Sequence, residues 1–408
     1  MTSRIVRPGV AAAVALALVL TGCTPDTAEP TVAPTTRVPL ELSVGALLPL
    51  TGSLAPFGPA NAAAVELAVN DINNAKAGIT VTATTADSGD ATTDTSITSA
   101  TTLIDDGASV IIGALSDNVS RKVLDQIVSA GVLQISPAAT STDFTRADDN
   151  GLFWRTSPAC VLEGDVMGKQ IAADGVKKLG IIYEAGYCEP GLPEELSTAF
   201  EREGGKVVAT EAYSAGNTAL GTPVATVAEA KPDAVVVIGG GGPSAVPPLV
   251  AAGYEGSALY FVGLSIANHS ADIAAGSITG SVASMPGIDI GSLKSFTDRL
   301  IDINPAITDF SYAAETYDAV VLAALAALAA NSTKGTDIGS LLREVSGGEG
   351  DGKKARDFAS GAKIILAGGV VDYDGPSGKI TFDAKGDPQG AEIGLYRYGA
   401  DDTFTRFN

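Results

Sequence analysis

Two hydroxyl-rich turns carry the side chains best suited to hold a ligand. Ser116, Asp117 and Asn118 follow the apolar run 109–113, and Ser136-Pro137-Ala138-Ala139-Thr140 completes the run 132–135. A turn at a strand end leaves backbone N–H groups free, and beside hydroxyls they form a cradle for a small polar ligand. Asp87 and Asp90 lie in a third turn, Ala86-Asp87-Ser88-Gly89-Asp90, and read as a capped loop at the mouth of that cradle. Other candidate motifs stop short of chemistry. Gly239-Gly240-Gly241-Gly242-Pro243 sits between a strand and a helix, yet it lacks the lysine and the spaced third glycine of nucleotide motifs. It reads as a close backbone approach at a cleft rim. Gly263-Leu264-Ser265-Ile266-Ala267 lacks the last glycine of a nucleophile elbow, and His269 is the single imidazole in the chain. No catalytic residue is assigned, and an enzyme is not expected. Two cysteines beyond Cys23 and one histidine are too few soft ligands for zinc, so neither metal nor cofactor is expected.

Periodicity supplies the elements that must hold these turns. Between the runs 109–113 and 132–135, Val119, Val123 and Ile127 recur at helical spacing, giving strand, helix and strand. Upstream, 42–50 reads as a strand, Val65, Ala68, Val69 and Ile72 mark a helix, 79–83 alternates as a strand, and 93–104 is a helix. This βαβαβαβ series implies a doubly wound parallel sheet. Residues 152–156 then lead out of the first lobe. A second series has strands at 179–183, 207–209, 234–238 and 259–262, with helices at 161–173, 194–203, 222–229 and 243–252. Residues 281–285 lead back, helices are expected at 293–303, 312–330 and 338–345, and 378–382 with 393–398 reads as a terminal hairpin. The fold class is α/β: a two-lobed clamshell in which each lobe is a doubly wound parallel sheet. A ligand is expected between the lobes.

The chain has 408 residues, a formal charge of −21 and three cysteines. That acidity, with no Lys/Arg run, argues against nucleic-acid binding. Arg4 and Arg7 precede the apolar run 9–20, which is short for a bilayer span, and Leu20-Thr21-Gly22-Cys23 follows. This end resembles the lipobox of bacterial lipoproteins. The resemblance implies that 1–22 is a signal peptide and that Cys23 carries acyl chains. Such an anchor holds the protein to the outer face of the cell membrane. Residues 23–40 are a Pro/Thr-rich tether. The run 316–330 is Ala/Leu-rich but too short for a convincing span. Cys160 and Cys188 are then an even pair in an oxidising compartment; a bridge and two free buried thiols both remain open.

In order along the chain, GALLPLTGSLAPFGPANAAAVELAVNDIN, IIGALSDNVS, GVLQISPAATS, LFWRTSPA and GPSGKITFDAKGD are similar to the Leu/Ile/Val-binding proteins. These are the amino-acid-receptor branch of type I periplasmic binding proteins, and the resemblance covers 42–408. It implies a monomeric substrate-binding subunit that closes on a small ligand, an amino acid or amide-like compound. The closed form is presented to an ABC permease and, through it, to the ATPase subunits. It also implies three crossovers between lobes, near 154–158, 281–288 and 375–381. Lobe one is then 41–156 with 286–376, and lobe two is 157–285 with 377–408.

The resemblance further implies the site residues. The ligand carboxylate would meet Ser116, Asp117 and Asn118, the N–H of Ala138 and the hydroxyl of Thr140. Tyr187 would stand at the lobe-two rim and Phe57 in the first loop. Two positions depart from the family pattern on the ligand's charged groups. Asp117 stands where the first loop usually has Ser, and Ser265 where an acidic side chain usually meets the amino group. The glycines around Gly241 replace a second aromatic. A carboxylate facing a ligand carboxylate is costly in a closed cleft. Either Asp117 accepts the amine from the opposite side, or the ligand is not an ordinary α-amino acid. A sensor or regulatory binding protein for an amide, urea-like compound or amino acid is the alternative to an importer subunit.

Overall fold

The short, wholly apolar strands of the first series need helices on both faces of their sheet. The computed structural model, which describes residues 38–188, 191–214, 217–263, 273–287 and 290–408, shows that arrangement. β1 (Leu40–Leu48), β2 (Ile79–Asp87), β3 (Val110–Gly113), β4 (Leu133–Ser136) and β5 (Phe153–Arg155) pair in the order β2-β1-β3-β4-β5, all parallel. The helices α1 (Gly58–Ala75), α2 (Thr95–Asp105) and α3 (Asp117–Ser129) connect them, and the one-turn α4 (Thr142–Thr145) follows β4. Ser116 starts α3 as its N-cap, accepting from the Val119 N–H, and Val119, Val123 and Ile127 are buried as the period-3.6 pattern requires.

The second lobe repeats this winding. It runs α5 (Cys160–Ala173), β6 (Lys178–Glu184), α6 (Gly191–Arg202), β7 (Lys206–Tyr213), α7 (Gly221–Glu229), β8 (Ala234–Ile238), α8 (Gly242–Ala251), β9 (Leu259–Val262) and β10 (Val282–Pro286). The parallel order β7-β6-β8-β9-β10 matches that of the first lobe strand for strand. β8 is buried along its whole length, as the Ala-Val-Val-Val-Ile run predicts. On α5, a Cβ at Gly168 would come within 2.6 Å of the Leu196 carbonyl and 2.9 Å of Ala199, so only glycine lets α6 pack this close.

The chain then returns to lobe one as α9 (Lys294–Ile303), α10 (Ala313–Ala330), α11 (Gly335–Val345), β11 (Lys353–Ala355), α12 (Phe358–Leu366), β12 (Val371–Gly375), β13 (Gly378–Lys379), β14 (Thr381–Phe382) and β15 (Pro388–Gln389). α10 is the core helix of that lobe, buried on nearly every side, which explains its unbroken Ala/Leu composition. β16 (Ile393–Tyr398) and β17 (Phe404–Arg406) finally add to the second sheet, antiparallel beside β10.

Several expectations need correction. Within 152–156, Phe153–Arg155 forms the edge strand β5, because Phe153 and Trp154 have apolar surface to bury against β4. Most of 281–285 belongs to β10 (Val282–Pro286), a full member of the second sheet. The expected terminal hairpin does not form: β13 pairs with β12, β14 with β15, and β16 with β10. Ile380 and Phe382 pack into the lobe-one core, Phe382 edge-on to Trp154 with centroids 5.0 Å apart. The stretch 377–389 therefore stays with lobe one, and the last crossover lies after Gln389 rather than near 375–381. Helix α12 was not anticipated, since the Gly- and Lys-rich sequence around it obscures the apolar face of Phe358, Ala362 and Ile365.

Candidate ligand-binding cleft

In both lobes the loops at the carboxyl ends of the strands, beside the point where strand order reverses, face the cleft, as ligand sites do in such sheets. On the lobe-one side, Asp117 begins α3 and turns its carboxylate onto the 137–141 turn. Its Oδ1 accepts from the Thr140 N–H at 2.7 Å and the Ser141 N–H at 3.0 Å. Ser136 holds the same turn from inside: its hydroxyl donates to the Ala114 carbonyl and accepts from the Ala139 N–H at 3.0 Å and, more weakly, the Ala138 N–H at 3.4 Å. Beneath lies Arg155, with no solvent exposure, donating to Asp387 Oδ1 at 2.7 Å, the Ser141 carbonyl at 2.7 Å and Thr145 Oγ1 at 2.9 Å. The turn is thus held by side chains from three segments.

The aromatic part of this wall comes from two distant segments. Phe57 and Tyr312 meet edge to face with centroids 6.4 Å apart. Asn61 ties their backbones together, donating to the carbonyls of Phe57 and Ser311 at 2.7 and 3.0 Å. Tyr312 adopts φ 63°, a left-handed conformation that turns the chain into α10.

The lobe-two wall centres on Tyr187 and Glu163. Tyr187 follows β6 and precedes Cys188, which is bridged to Cys160 with Cα atoms 6.4 Å apart. A Cβ on Gly263, whose φ is +69°, would fall on the Tyr187 hydroxyl, so the ring lies directly over that glycine. Glu163, in the first turn of α5, is 1% exposed. Its Oε1 accepts from the Gly263 N–H at 3.0 Å and the Ser284 hydroxyl at 2.8 Å. These two bonds tie α5 to the residue after β9 and to the middle of β10.

The electrostatics of the two walls interlock. Burial pushes the Glu163 carboxyl up to about 7, against the pull of its two hydrogen bonds. Glu315, on α10, is likewise pushed to about 7 by burial, and its Oε1 lies against the backbone of Gly287 beyond β10. The Tyr187 phenol is raised first by burial and then by Glu163, Tyr312, Asp117 and Glu184. Tyr312 is raised by burial, Glu315, Glu163 and Asp117. Among the described residues, groups of both lobes thus bear on the same two phenols, and all of those groups are carboxylates or phenols.

The remaining expected residues fall as follows. Ser116 is a helix cap, and Asn118 is exposed on the first turn of α3. The Gly241 amide is already engaged by the Tyr213 hydroxyl at 2.7 Å, and the Gly240 amide by Glu184 Oε2 at 2.7 Å, so this loop offers those two N–H groups to no ligand. Asp87 and Asp90 cap the loop after β1, accepting from the N–H groups of Leu50, Thr51 and Ser53. Ser265 and His269, and the lipidation position Cys23, lie outside the described residues. Glu163, Tyr312 and Glu315 were not anticipated. Glu163 had one visible signal, an acid at helical spacing among Cys160, Gly164, Met167 and Ile171 on an otherwise apolar helix face.

A cavity of about 840 Å³ opens elsewhere, around Asp71, Arg299, Tyr317, Arg356, Asp374 and Arg406. Its arginines largely answer its own acids, Arg299 to Asp71 at 2.5 Å and Arg406 to Glu392 at 2.9 Å. In the cleft, by contrast, Asp117 and Glu163 have no ion-pair partner among the described residues.

Residues 41–390 match the sequence profile of a family described as periplasmic binding protein. Among characterised proteins, the chemotactic signal transduction system substrate-binding protein BasB of Halobacterium salinarum is 27% identical, the match covering 85% of this chain and 84% of that one. The Leu/Ile/Val-binding protein of Citrobacter freundii is 25% identical, covering 90% and 93%. The leucine binding protein LivK of Thermotoga maritima superposes with a TM-score of 0.68 at 17% identity, covering 90% of this chain and 98% of its own. A solute binding protein of an R. palustris ABC transporter, solved with 4-hydroxybenzoate, superposes at 0.70 with 17% identity, covering 90% and 96%.

Proposed function

Because the chain belongs to the periplasmic binding protein family, as a type I member of the Leu/Ile/Val-binding kind, we propose that it captures a small polar solute between its lobes and delivers it to an ABC importer. The observation that supports this reading is the convergence of groups from both lobes, Asp117 and Tyr312 on one side with Glu163 and Tyr187 on the other. Ligand closes the gap between two rigid walls, and the closed shape is what a permease recognises. In this reading the protein is a monomer tethered outside the cell by lipid on Cys23, with no cofactor.

Deleting the gene is expected to abolish high-affinity uptake of the solute that the purified protein binds. The likeness to a substrate-binding protein of a chemotactic system favours a second reading, a receptor that reports the solute to a signalling partner. Retained uptake with a lost behavioural or regulatory response to the same solute decides for that reading.

A further inference from the structure

Glu163 raises a question that solute capture alone leaves unanswered. It is a carboxyl at 1% exposure, and among the described residues no lysine or arginine acts on it. Its Oε1 accepts from the Gly263 N–H and the Ser284 hydroxyl, so two neutral donors hold it. A buried carboxylate is costly unless a positive charge joins it. Two phenol rings, Tyr187 and Tyr312, lie within reach of its charge from opposite lobes, and Phe57 stands edge-on to Tyr312. Aromatic faces beside a carboxylate are the surroundings that stabilise an organic cation.

Asp117 supplies the independent observation. The Thr140 and Ser141 N–H groups form a natural anion cradle, and the protein's own carboxylate already sits in it. A ligand carboxylate arriving there would lose those donors and meet a like charge. We infer that the cleft takes an organic ammonium ion, with Glu163 as its counter-charge and Tyr187 and Tyr312 as its aromatic walls, while Asp117 bars a ligand carboxylate from the 137–141 turn. The inference rests on solute capture in this cleft and names the class of solute. Proton and cation compete for Glu163. Among the described residues, the titratable groups that act with Glu163 on the two phenols are Asp117 on α3, Glu184 on β6, Glu315 on α10 and Asp309 before it. All of these are acidic, so none of the described groups substitutes for a positive charge.

The test is calorimetric titration of the purified protein at pH 7.5 with choline, agmatine, leucinamide, leucine, 4-methylpentanoate and urea. At least one of the three carboxylate-free cations is expected to bind ten times more tightly than leucine, with no binding of 4-methylpentanoate. Glu163→Gln is expected to weaken that cation at least tenfold, and Asp117→Ser to strengthen leucine at least tenfold. Tightest binding by leucine, 4-methylpentanoate or urea overturns the ammonium assignment and leaves solute capture standing. Unchanged cation affinity in a folded Glu163→Gln protein overturns Glu163 as the counter-charge. Silence from all six compounds overturns the ammonium assignment too; only silence from a wider panel of amino acids, amides and ureas counts against capture itself.

Discussion

Replacing Glu163 by Gln should change how the stability of the ligand-free protein depends on pH. The glutamine carbonyl can keep both hydrogen bonds, from the Gly263 N–H and the Ser284 hydroxyl, so the main loss is the ionisable proton. In the unfolded chain this carboxyl ionises near its ordinary 4.5, whereas the folded protein holds its proton up to about 7. Between those values the folded state binds more protons than the unfolded state, so stability falls as pH rises. The span from 4.5 to about 7 corresponds to an upper bound of roughly 3 kcal/mol at about 1.4 kcal/mol per pH unit. The free-energy gap between Glu163→Gln and wild type should therefore move in favour of the variant by up to about 3 kcal/mol from pH 4.5 to 8. Urea denaturation followed by circular dichroism at pH 4.5, 6, 7 and 8 measures it. Glu315 and Asp318 contribute equally to both proteins, because burial pushes each to about 7 in the same way. A gap that stays constant across the series would refute the claim that Glu163 is buried without a counter-ion.

Three further outcomes are expected. Arg155→Met leaves Asp387 buried without its ion pair and releases the 141–145 turn, a loss of about 3–5 kcal/mol in chemical denaturation. Reduction of the Cys160–Cys188 bridge, which spans 28 residues, should add two hydrogens in intact-mass analysis and cost about 3–4 kcal/mol. Gly263→Ala forces a side chain into a left-handed backbone position and against the Tyr187 hydroxyl. It should cost about 1–3 kcal/mol and weaken ligand binding measured by calorimetry, with an unchanged affinity arguing that Tyr187 does not line the site.

Most of the fold was legible because its signals are local. The buried runs of β3, β4, β8 and β9 and the 3.6-residue spacing in α3 depend only on near neighbours, and both lobes emerged from them in the right order. The corrections fall where pairing is set by distant partners. Phe153–Arg155 is too short to announce itself as a strand, and β16 reads alike whether it joins a hairpin or an existing sheet. The Asp/Gly-rich 383–387 stretch hid the fact that Asp387 is the partner of Arg155. The site shows the same division. The turns at 116–118 and 138–140 follow directly from strand ends, and the tension around Asp117 was visible as a charge in an anion cradle. Its resolution, onto the amides of Thr140 and Ser141, depends on the packing of α3 against the next loop. Tyr312 is separated by more than 120 residues from Tyr187, and only the closed arrangement of the lobes brings their charges together.

The central claim is capture of a small polar solute between the lobes, and a thermal-shift screen of the purified protein tests it most directly. The panel should cover amino acids, amides, ureas, small carboxylates and organic amines. A ligand present at a hundred times its Kd adds about 2.7 kcal/mol to the folded state, a readily measured rise in Tm. The account expects one solute class, the carboxylate-free amines, to raise Tm in a concentration-dependent way, with the shift diminished in Glu163→Gln. An unmoved Tm across every class at millimolar concentration would contradict it.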